Sequence, residues 1–535
     1  MALSLFGVAA LFRLVLALRP GLWVDEVFSL AMATGHSLEH PARDADPALG
    51  DYVEPSQAVP AAALRRYLEH ETPPAGARRV IRAVFLSDTS PPLYYLLLNP
   101  WTRIAGTSDA ALRLFSAFWA LASFPLLWAV GRKVGGGKTA RTACLLFTLA
   151  PAALYYSAEG RMYSLLWFEG LVLAWSTLAL AERGTRPHLA MMWVLGGAAG
   201  LLTHYFFMFV WLACGAWLAL HPGNVSRARI AGAGVATGLL VLPWYLHLPE
   251  SLARWRVTGD WLAHPLTWSQ TLGAPVRFAT ILLSGRGVWG GVDWVNRCQA
   301  FLYVLLALLI LGRGVRPLLS PRRRLLWFCV IAAVFGPLAL DLLRHTSASR
   351  VERFALPGLP AALLLLALAL NHLSSRTRLV FLLLTLLAWL PGIRDTYREP
   401  PRPWEPFPTV ATRLAAWNPP ADLVVVDSIP SGVLGVARYV APGTSIASWV
   451  VQLGRRRIPG DADVLLAARR RVALVKTHPM GESCPAETWL REHAALDHEE
   501  TLFEDRSLTE TTDILYFVTA SSDGRYESPR RASNG

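Results

Sequence analysis

Residues 110–163 read AALRLFSAFWALASFPLLWAVGRKVGGGKTARTACLLFTLAPAALYYSAEGRMY. Ala110–Gly131 is an apolar run of bilayer-crossing length, and Thr142–Ser157 is a second. Between them stand Arg132, Lys133, Lys138 and Arg141, a basic turn that belongs on the cytoplasmic side by the positive-inside rule. The turn has the look of a phosphate loop. However, Arg132 stands where GxxxxGK(S/T) needs its first glycine, and no strand precedes it. The stretch predicts two membrane spans joined by an inner turn, with the second leading to an outer turn at Glu159-Gly160-Arg161.

Working outward, the same pattern recurs. Further apolar runs are Ala2–Leu18, Met162–Ala181, Leu189–Leu202, Tyr205–Leu220, Ile230–His247, Cys298–Gly312, Leu325–Leu343, Phe354–Leu370 and Leu379–Ile393. Ala2–Leu18 lacks a basic start and a small-residue cleavage site, so it reads as a retained span and not as a signal peptide. The chain of 535 residues is 53% hydrophobic and only 17% charged, against about 25% charged in a soluble domain. The 21 Trp and 14 Tyr suit two membrane–water interfaces. Five Cys with no CxxC spacing exclude a disulfide framework or zinc knuckle. The net charge of +13 is scattered between apolar runs, which argues topology and excludes a nucleic-acid site.

Charge also settles a twelfth run, Pro91–Ala105. With the N-terminus inside and this run lying at the outer surface without crossing, every short basic loop falls inside. These loops carry Arg183 and Arg186, Arg227 and Arg229, Arg313 to Arg324, and Arg376 and Arg378. The expectation is a polytopic α-helical membrane protein with about eleven transmembrane helices and a small C-terminal α/β domain outside. Residues 1–393 form the membrane core, with outer loops 19–108 and 248–297, followed by an outer domain 394–520 and a disordered end 521–535. In the first outer loop Val59, Ala63, Tyr67 with Leu64, Leu68, and Ile81, Val84, Phe85, make apolar helical faces flanked by Arg65, Arg66, Arg78, Arg79 and Arg82. They fit helices lying in the lipid interface or packed on the protein. In the outer domain, strands are expected at Leu423–Val426, Val472–Lys476 and Ile514–Thr519, with helices at Thr409–Trp417, Ala462–Arg471 and Ala486–Leu496.

Ionisable residues at the span ends are the candidates for chemistry, because a membrane core tolerates few of them. Asp25-Glu26 follows the first span, where a carboxylate pair can provide a general base, hold a divalent ion or cap the next helix, and read alone it is a cap. Asp88 precedes Pro91-Pro92-Leu93-Tyr94-Tyr95, a helix start. Glu159, Arg161 and Tyr163 occupy one outer turn and His204-Tyr205 the next. Arg350, Glu352 and Arg353 stand just outside the tenth span. The topology, fixed from basic loops alone, puts all five groups on the outer side. Acids mixed with arginines at a membrane surface suit a phosphorylated lipid.

In order and spacing these residues resemble bacterial family 39 glycosyltransferases, relatives of protein O-mannosyltransferases and aminoarabinose transferases with the C-type membrane glycosyltransferase fold. The resemblance covers roughly Leu22–Leu370, and Trp404 to Tyr439 is similar to the family's C-terminal segment. It implies transfer of a sugar from a polyprenyl-phosphate carrier to a hydroxyl acceptor at the outer face. By position Asp25 would be the catalytic base with Glu26 beside it, and Glu159 and Arg161 would line the donor or acceptor site. Ser90 stands where the family often has a cationic or imidazole side chain, which shifts phosphate contact onto Arg161, Arg350 and Arg353.

Departure of a lipid phosphate needs its charge neutralised, by arginine or by a divalent cation, and no cofactor is otherwise implied. His36 and His40 with Glu39, Asp44 and Asp46 have the spacing for a metal but read better as solvated loop charges. Glu169 and Arg13, inside spans, read as structural partners within the bundle. A transporter or flippase is the competing class. Its site would sit near the midplane, commonly within an internal repeat, and none is evident here. A non-catalytic sensor or scaffold would leave the carboxylate and arginine motifs unexplained.

Overall fold

The computed structural model describes residues 2–88, 90–257, 262–283, 294–398, 405–456, 460–467, 469–478, 484–505 and 510–519. The expected disordered end, 521–535, lies outside them. The chain divides into two compact units. One joins Met1–Arg19, Asp88–Arg254 and Asp260–Glu399, and the other joins Pro20–Ser87, Trp255–Gly259 and Pro400–Gly535.

The first unit is helical: α1 (Ala2–Ala17), α5 (Leu93–Ala105), α6 (Asp109–Leu149), α7 (Pro151–Ser157), α8 (Tyr163–Arg183), α9 (Pro187–Thr203), α10 (Phe207–Leu220), α11 (Arg227–Tyr245), α12 (Leu248–Ala253), α13 (Trp268–Leu283), α14 (Trp294–Arg313), α15 (Pro321–Arg344), α16 (Leu359–Asn371) and α17 (Ser375–Arg398). Among the described residues six helices are long and apolar enough to cross a membrane: Asp109–Leu149, Tyr163–Arg183, Arg227–Ala253, Pro321–Arg344, Glu352–Asn371 and Ser375–Arg398. Leu3–Ala17, Pro187–Thr203 and Phe207–Leu220 are shorter apolar helices. The chain is a multi-pass membrane protein. α8 and α16 are apolar on all sides because the bundle surrounds them, whereas α11 and α17 leave Leu239, Leu242, Leu383 and Leu387 exposed, as lipid-facing helices do.

α6 contains the opening stretch, and it is two helical arms. Gly136 takes φ 77°, ψ −174°, a conformation reserved for glycine, and the chain folds back there. A Cβ on Gly131 would stand 2.8 Å from Ala140 Cα, although nine residues of straight helix would separate the two by about 13 Å. The chain therefore reverses within the basic stretch that holds Arg132, Lys133, Lys138 and Arg141. The second arm stops at Leu149 because Pro151 starts a new helix, so the run 142–157 is broken in two. α5, within the run Pro91–Ala105, is 13 residues long and buries Tyr94, Tyr95 and Leu98. α13 falls within 248–297, the stretch that the sequence reading assigned to a loop.

The second unit contains α2 (Val24–Thr34), α3 (Ala61–Arg65), α4 (Ala77–Ser87), α18 (Phe407–Ala416), α19 (Pro430–Tyr439), α20 (Gly460–Leu466) and α21 (Pro485–His493). Its strands are β1 (Val59–Pro60), β2 (Leu423–Asp427), β3 (Ser445–Trp449), β4 (Arg471–Thr477), β5 (Ala494–Asp505) and β6 (Glu510–Thr519). The sheet order is β1-β3-β2-β4-β6-β5, parallel across β3, β2 and β4 and antiparallel at both sides. Leu423, Val425, Val472, Leu474 and Trp449 pack on Leu465, Leu466, Trp489 and Leu490 to make its core.

The grouping differs from the sequence reading. The first outer loop was assigned to the membrane core, yet Val59 and Pro60 pair with Ile446 and Ser445 and extend the C-terminal sheet. Val59 is therefore in a strand, and helix begins only at Ala61. The loop arginines serve the protein itself. Arg65 donates to the carbonyls of Ala437 and Val440, Arg79 pairs with Glu71 at 2.5 Å, and Arg82 forks onto Asp51.

Candidate functional site

In the helical unit, residues from four separate chain segments meet. The Tyr95 hydroxyl donates to Asp88 Oδ2 at 2.6 Å, and Arg161 Nη1 donates to the Tyr95 hydroxyl at 3.1 Å. Arg161 Nη1 also stands 3.5 Å from Asp88 Oδ2. Asp88 is held in turn by the Ser90 amide, 3.1 Å from Oδ1, and the Arg161 carbonyl accepts from Ser116. α5 supplies Tyr95 because Pro91-Pro92 starts that helix just after Asp88, and the tight turn before α8 supplies Arg161.

His204 ends α9 and is buried. Its ring lies 5.4 Å from Phe354 and 5.5 Å from Phe206, and Phe206 stacks on Phe354 at 4.5 Å. Burial, with Arg161 and Arg353 nearby, pulls its pKa down to about 3, while Asp88 opposes the shift. The neighbourhood therefore favours a neutral imidazole. The Asp88–Arg161 pair, His204 and Arg353 thus form one electrostatic neighbourhood.

The loop bearing Arg353 is built on a carboxylate that sequence reasoning missed. Asp341 accepts from Thr346 Oγ1, the Ala348 amide and the Ser349 amide, each at 2.7 Å. Two backbone amides and a hydroxyl on one buried carboxylate fix the turn ahead of the short helical segment Glu352–Gly358. Its only sequence signal was an acid near the end of an apolar run. Arg353 is half-buried, whereas Arg350 is exposed and has Arg277 as an electrostatic neighbour. Glu159 is buried, and its carbonyl accepts from the Arg161 amide at 2.7 Å. Tyr163 begins α8 with its ring 5.1 Å from Tyr156, and the Tyr205 hydroxyl accepts from Trp244 at 3.0 Å. Both tyrosines engage neighbouring aromatic residues through these contacts. At a separate place, Lys133 from the Gly136 turn, Glu182 from the end of α8 and Arg322 from the start of α15 form one ion-pair cluster. It unites three helix ends assigned to the inside.

In the second unit, α2 carries Asp25 and Glu26. Glu26 is fully buried, and its Oε2 accepts from the Trp23 amide at 3.3 Å, so Glu26 caps the helix. Asp25 is half-buried. The Val24 amide donates to Glu405 Oε2 at 2.6 Å, and the Leu22 amide donates to the Tyr439 hydroxyl at 2.7 Å. The histidines expected to be solvated are not. His36, Glu39 and His40 are buried, with His36 Nδ1 3.0 Å from Thr34 Oγ1 and Nε2 3.3 Å from Glu71; only Asp44 and Asp46 are outside the buried set. Burial pulls the His36 pKa down to about 4. Among the described residues no group of three or more His, Cys, Asp or Glu is arranged to hold a metal. Inside the spans, Arg13 donates to the carbonyls of Ala9 and Phe147, and Glu169 accepts from Thr203 at 2.9 Å. Those contacts are the structural role expected of both residues.

A helical membrane unit with a polar cluster at its helix ends, in one chain with an α/β unit, is the architecture of the C-type membrane glycosyltransferases, and this chain has that fold. A model of the family described as dolichyl-phosphate-mannose-protein mannosyltransferase matches residues 89–247. The chain is similar in structure to ArnT from Cupriavidus metallidurans bound to undecaprenyl phosphate, with 12% identity over 96% of this chain and 97% of that one and a TM-score of 0.53. The same protein in its apo state gives 11% identity over 92% and 95% of the two chains and a TM-score of 0.50. A search of curated protein sequences found no match.

Proposed function

We propose that the protein transfers a sugar from a polyprenyl-phosphate carrier to a hydroxyl acceptor at the outer face of the cytoplasmic membrane, inverting the anomeric carbon. The observation that carries this reading is the cluster of Asp88, Tyr95, Arg161, His204 and Arg353, a cationic and hydrogen-bonding surface built at helix ends. The match to the mannosyltransferase family model over 89–247 includes most of that cluster. The lipid phosphate named in the ArnT complex supports the same donor class.

In the reaction the acceptor oxygen attacks the anomeric carbon, the bond from that carbon to the phosphate oxygen breaks, and its electron pair leaves with the lipid phosphate. Arg161 and Arg353 neutralise the charge that grows there. A hydroxyl is a poor nucleophile at neutral pH, so a carboxylate must take its proton during attack. We assign that role to Asp25, because Glu26 is occupied in capping the helix that bears both residues. One base and one phosphate clamp give direct displacement. A divalent cation would serve the leaving phosphate in the same way.

The test is a gene deletion in the strain of origin, with lipids extracted and analysed by mass spectrometry. A polyprenyl-phosphate sugar should accumulate and should disappear on complementation. An unchanged lipid profile in a strain that has lost the protein overturns the reading.

A further inference from the structure

The three amides before Asp25 are each taken by a side chain. Leu22 donates to the Tyr439 hydroxyl, Trp23 to Glu26 and Val24 to Glu405. Two of these acceptors come from residues more than 380 positions away in sequence. The Leu22 amide precedes the helix and is not one of its orphan donors, so end-capping alone does not account for it. Gly21 completes the grip. It takes φ +102°, and a Cβ there would come within 3.2 Å of Pro408, so the chain turns tightly against the start of α18.

Glu405 is the costly member of this set. Its side chain is fully buried, and burying a carboxylate is expensive unless it is paired. Its two oxygens face different elements. Oε2 accepts the Val24 amide at 2.6 Å, a short charge-assisted bond, while Oε1 stands 3.2 Å from His478 Nδ1. His478 follows the last residue of β4 with φ +50°, so the carboxylate links the end of a central strand to the start of the Asp25 helix. A side-chain cap of the Ser or Asp type at position 23 would satisfy the helix at far lower cost, and that position holds Trp23.

We propose that Glu405 is a positioning residue for Asp25, and that Tyr439 and His478 support it. The C-terminal segment fixes backbone 22–24 so that the Asp25 carboxylate leaves the first turn of α2 at a set angle and height. This rests on the reading of Asp25 as the base. Misplacing a reacting group by about 1 Å costs about 10²-fold in rate, which is the scale of effect a clamp of this kind controls.

The experiment uses the full-length protein, expressed at equal membrane levels in the deletion strain. The rate read is loss of the lipid-linked sugar which that strain accumulates. Glu405→Ala should lower the rate about 100-fold. Glu405→Gln, whose amide oxygen can accept the same Val24 N–H, should recover most of it. Hydrogen exchange on purified protein should show the Val24 amide faster in Glu405→Ala and at the wild-type rate in Glu405→Gln. In the Asp25→Asn background, Glu405→Ala should cost less than about threefold more, because residues acting through one group are not additive. Tyr439→Phe removes the Leu22 acceptor without disturbing the core, and should speed Leu22 exchange and slow turnover.

A wild-type rate in Glu405→Ala with fast Val24 exchange overturns the positioning role. Fully additive losses with Asp25→Asn overturn it too, as does Glu405→Gln being as slow as Glu405→Ala with Val24 protected. A wild-type rate in Asp25→Asn removes the base itself. That failure belongs to the functional reading and is seen in that variant alone.

Discussion

Asp25 and Glu26 are adjacent carboxylates with different work. Glu26 is buried and holds the Trp23 amide, while Asp25 is half-buried on the first turn of the same helix. Asp25→Asn keeps size and hydrogen bonding but removes a base, so sugar transfer should fall about 10²–10⁴-fold with the protein still folded. Glu26→Gln keeps an acceptor for the cap and should lose much less. A near wild-type rate in Asp25→Asn would make Glu159 the next candidate. Arg161 poses a second question, since its guanidinium already meets Asp88 and Tyr95. Lys would retain charge without the planar fork, and undecaprenyl phosphate titrated onto purified Arg161→Lys should bind about tenfold more weakly. Equal affinity would leave Arg161 only its ion pair. At this scale Asp88, Arg161, His204 and Arg353 were legible because charge is rare at span ends. Asp341 and Glu405 were not, because their meaning lies in backbone amides that only folding brings to them.

Elements were legible where one physical signal dominated. β2, β4 and β6 announced themselves as apolar runs, and the helices of the bundle did so by length. β5, Ala494–Asp505, is polar and lies at the sheet edge, and its first residues read as the end of a helix. β1 is two residues that only a distant partner makes a strand. That junction carries a titratable device of its own. Glu54 is buried, and its Oε1 accepts from Ser448 at 2.9 Å and from the Val450 amide at 2.8 Å. Burial pushes its pKa up to about 7, with Arg456 opposing. The folded state therefore holds this proton more tightly than the unfolded one, and the linked stability is present below about pH 4.5 and lost as pH rises through about 7. The steepest fall is about 1.4 kcal/mol per pH unit. Hydrogen exchange across 445–453, corrected for intrinsic rates, should quicken between pH 5 and pH 8, and Glu54→Gln should flatten that profile. An equal pH response in the Gln variant would show that another group titrates.

At the scale of the whole chain, one constraint on topology comes from packing and owes nothing to charge counting. Residues 20–87 and the segment after 400 belong to one unit, joined by the pairing of Val59 with Ile446 and by Glu405 on Val24. Two segments of one folded unit share one side of a membrane, so the crossings between residues 88 and 399 are even in number. A crossing by α1 makes the total odd, which is the parity of the eleven spans read from basic loops. The ion-pair cluster of Lys133, Glu182 and Arg322 gathers three of those loops at one place. The expected outcome is that positions in the first outer loop and the tail are labelled together, from outside. The only exposed native cysteine is Cys298 among the five, so Cys298→Ser provides a quiet background. In that background Glu69→Cys and Gly443→Cys, both exposed, should react with a membrane-impermeant maleimide on intact spheroplasts. Arg186→Cys and Arg324→Cys, also exposed, should react only after permeabilisation. Labelling of Glu69→Cys and Gly443→Cys from opposite sides would break the shared unit. Labelling of Arg186→Cys from outside would keep the parity but invert the orientation, placing Asp25 away from an outer-face acceptor.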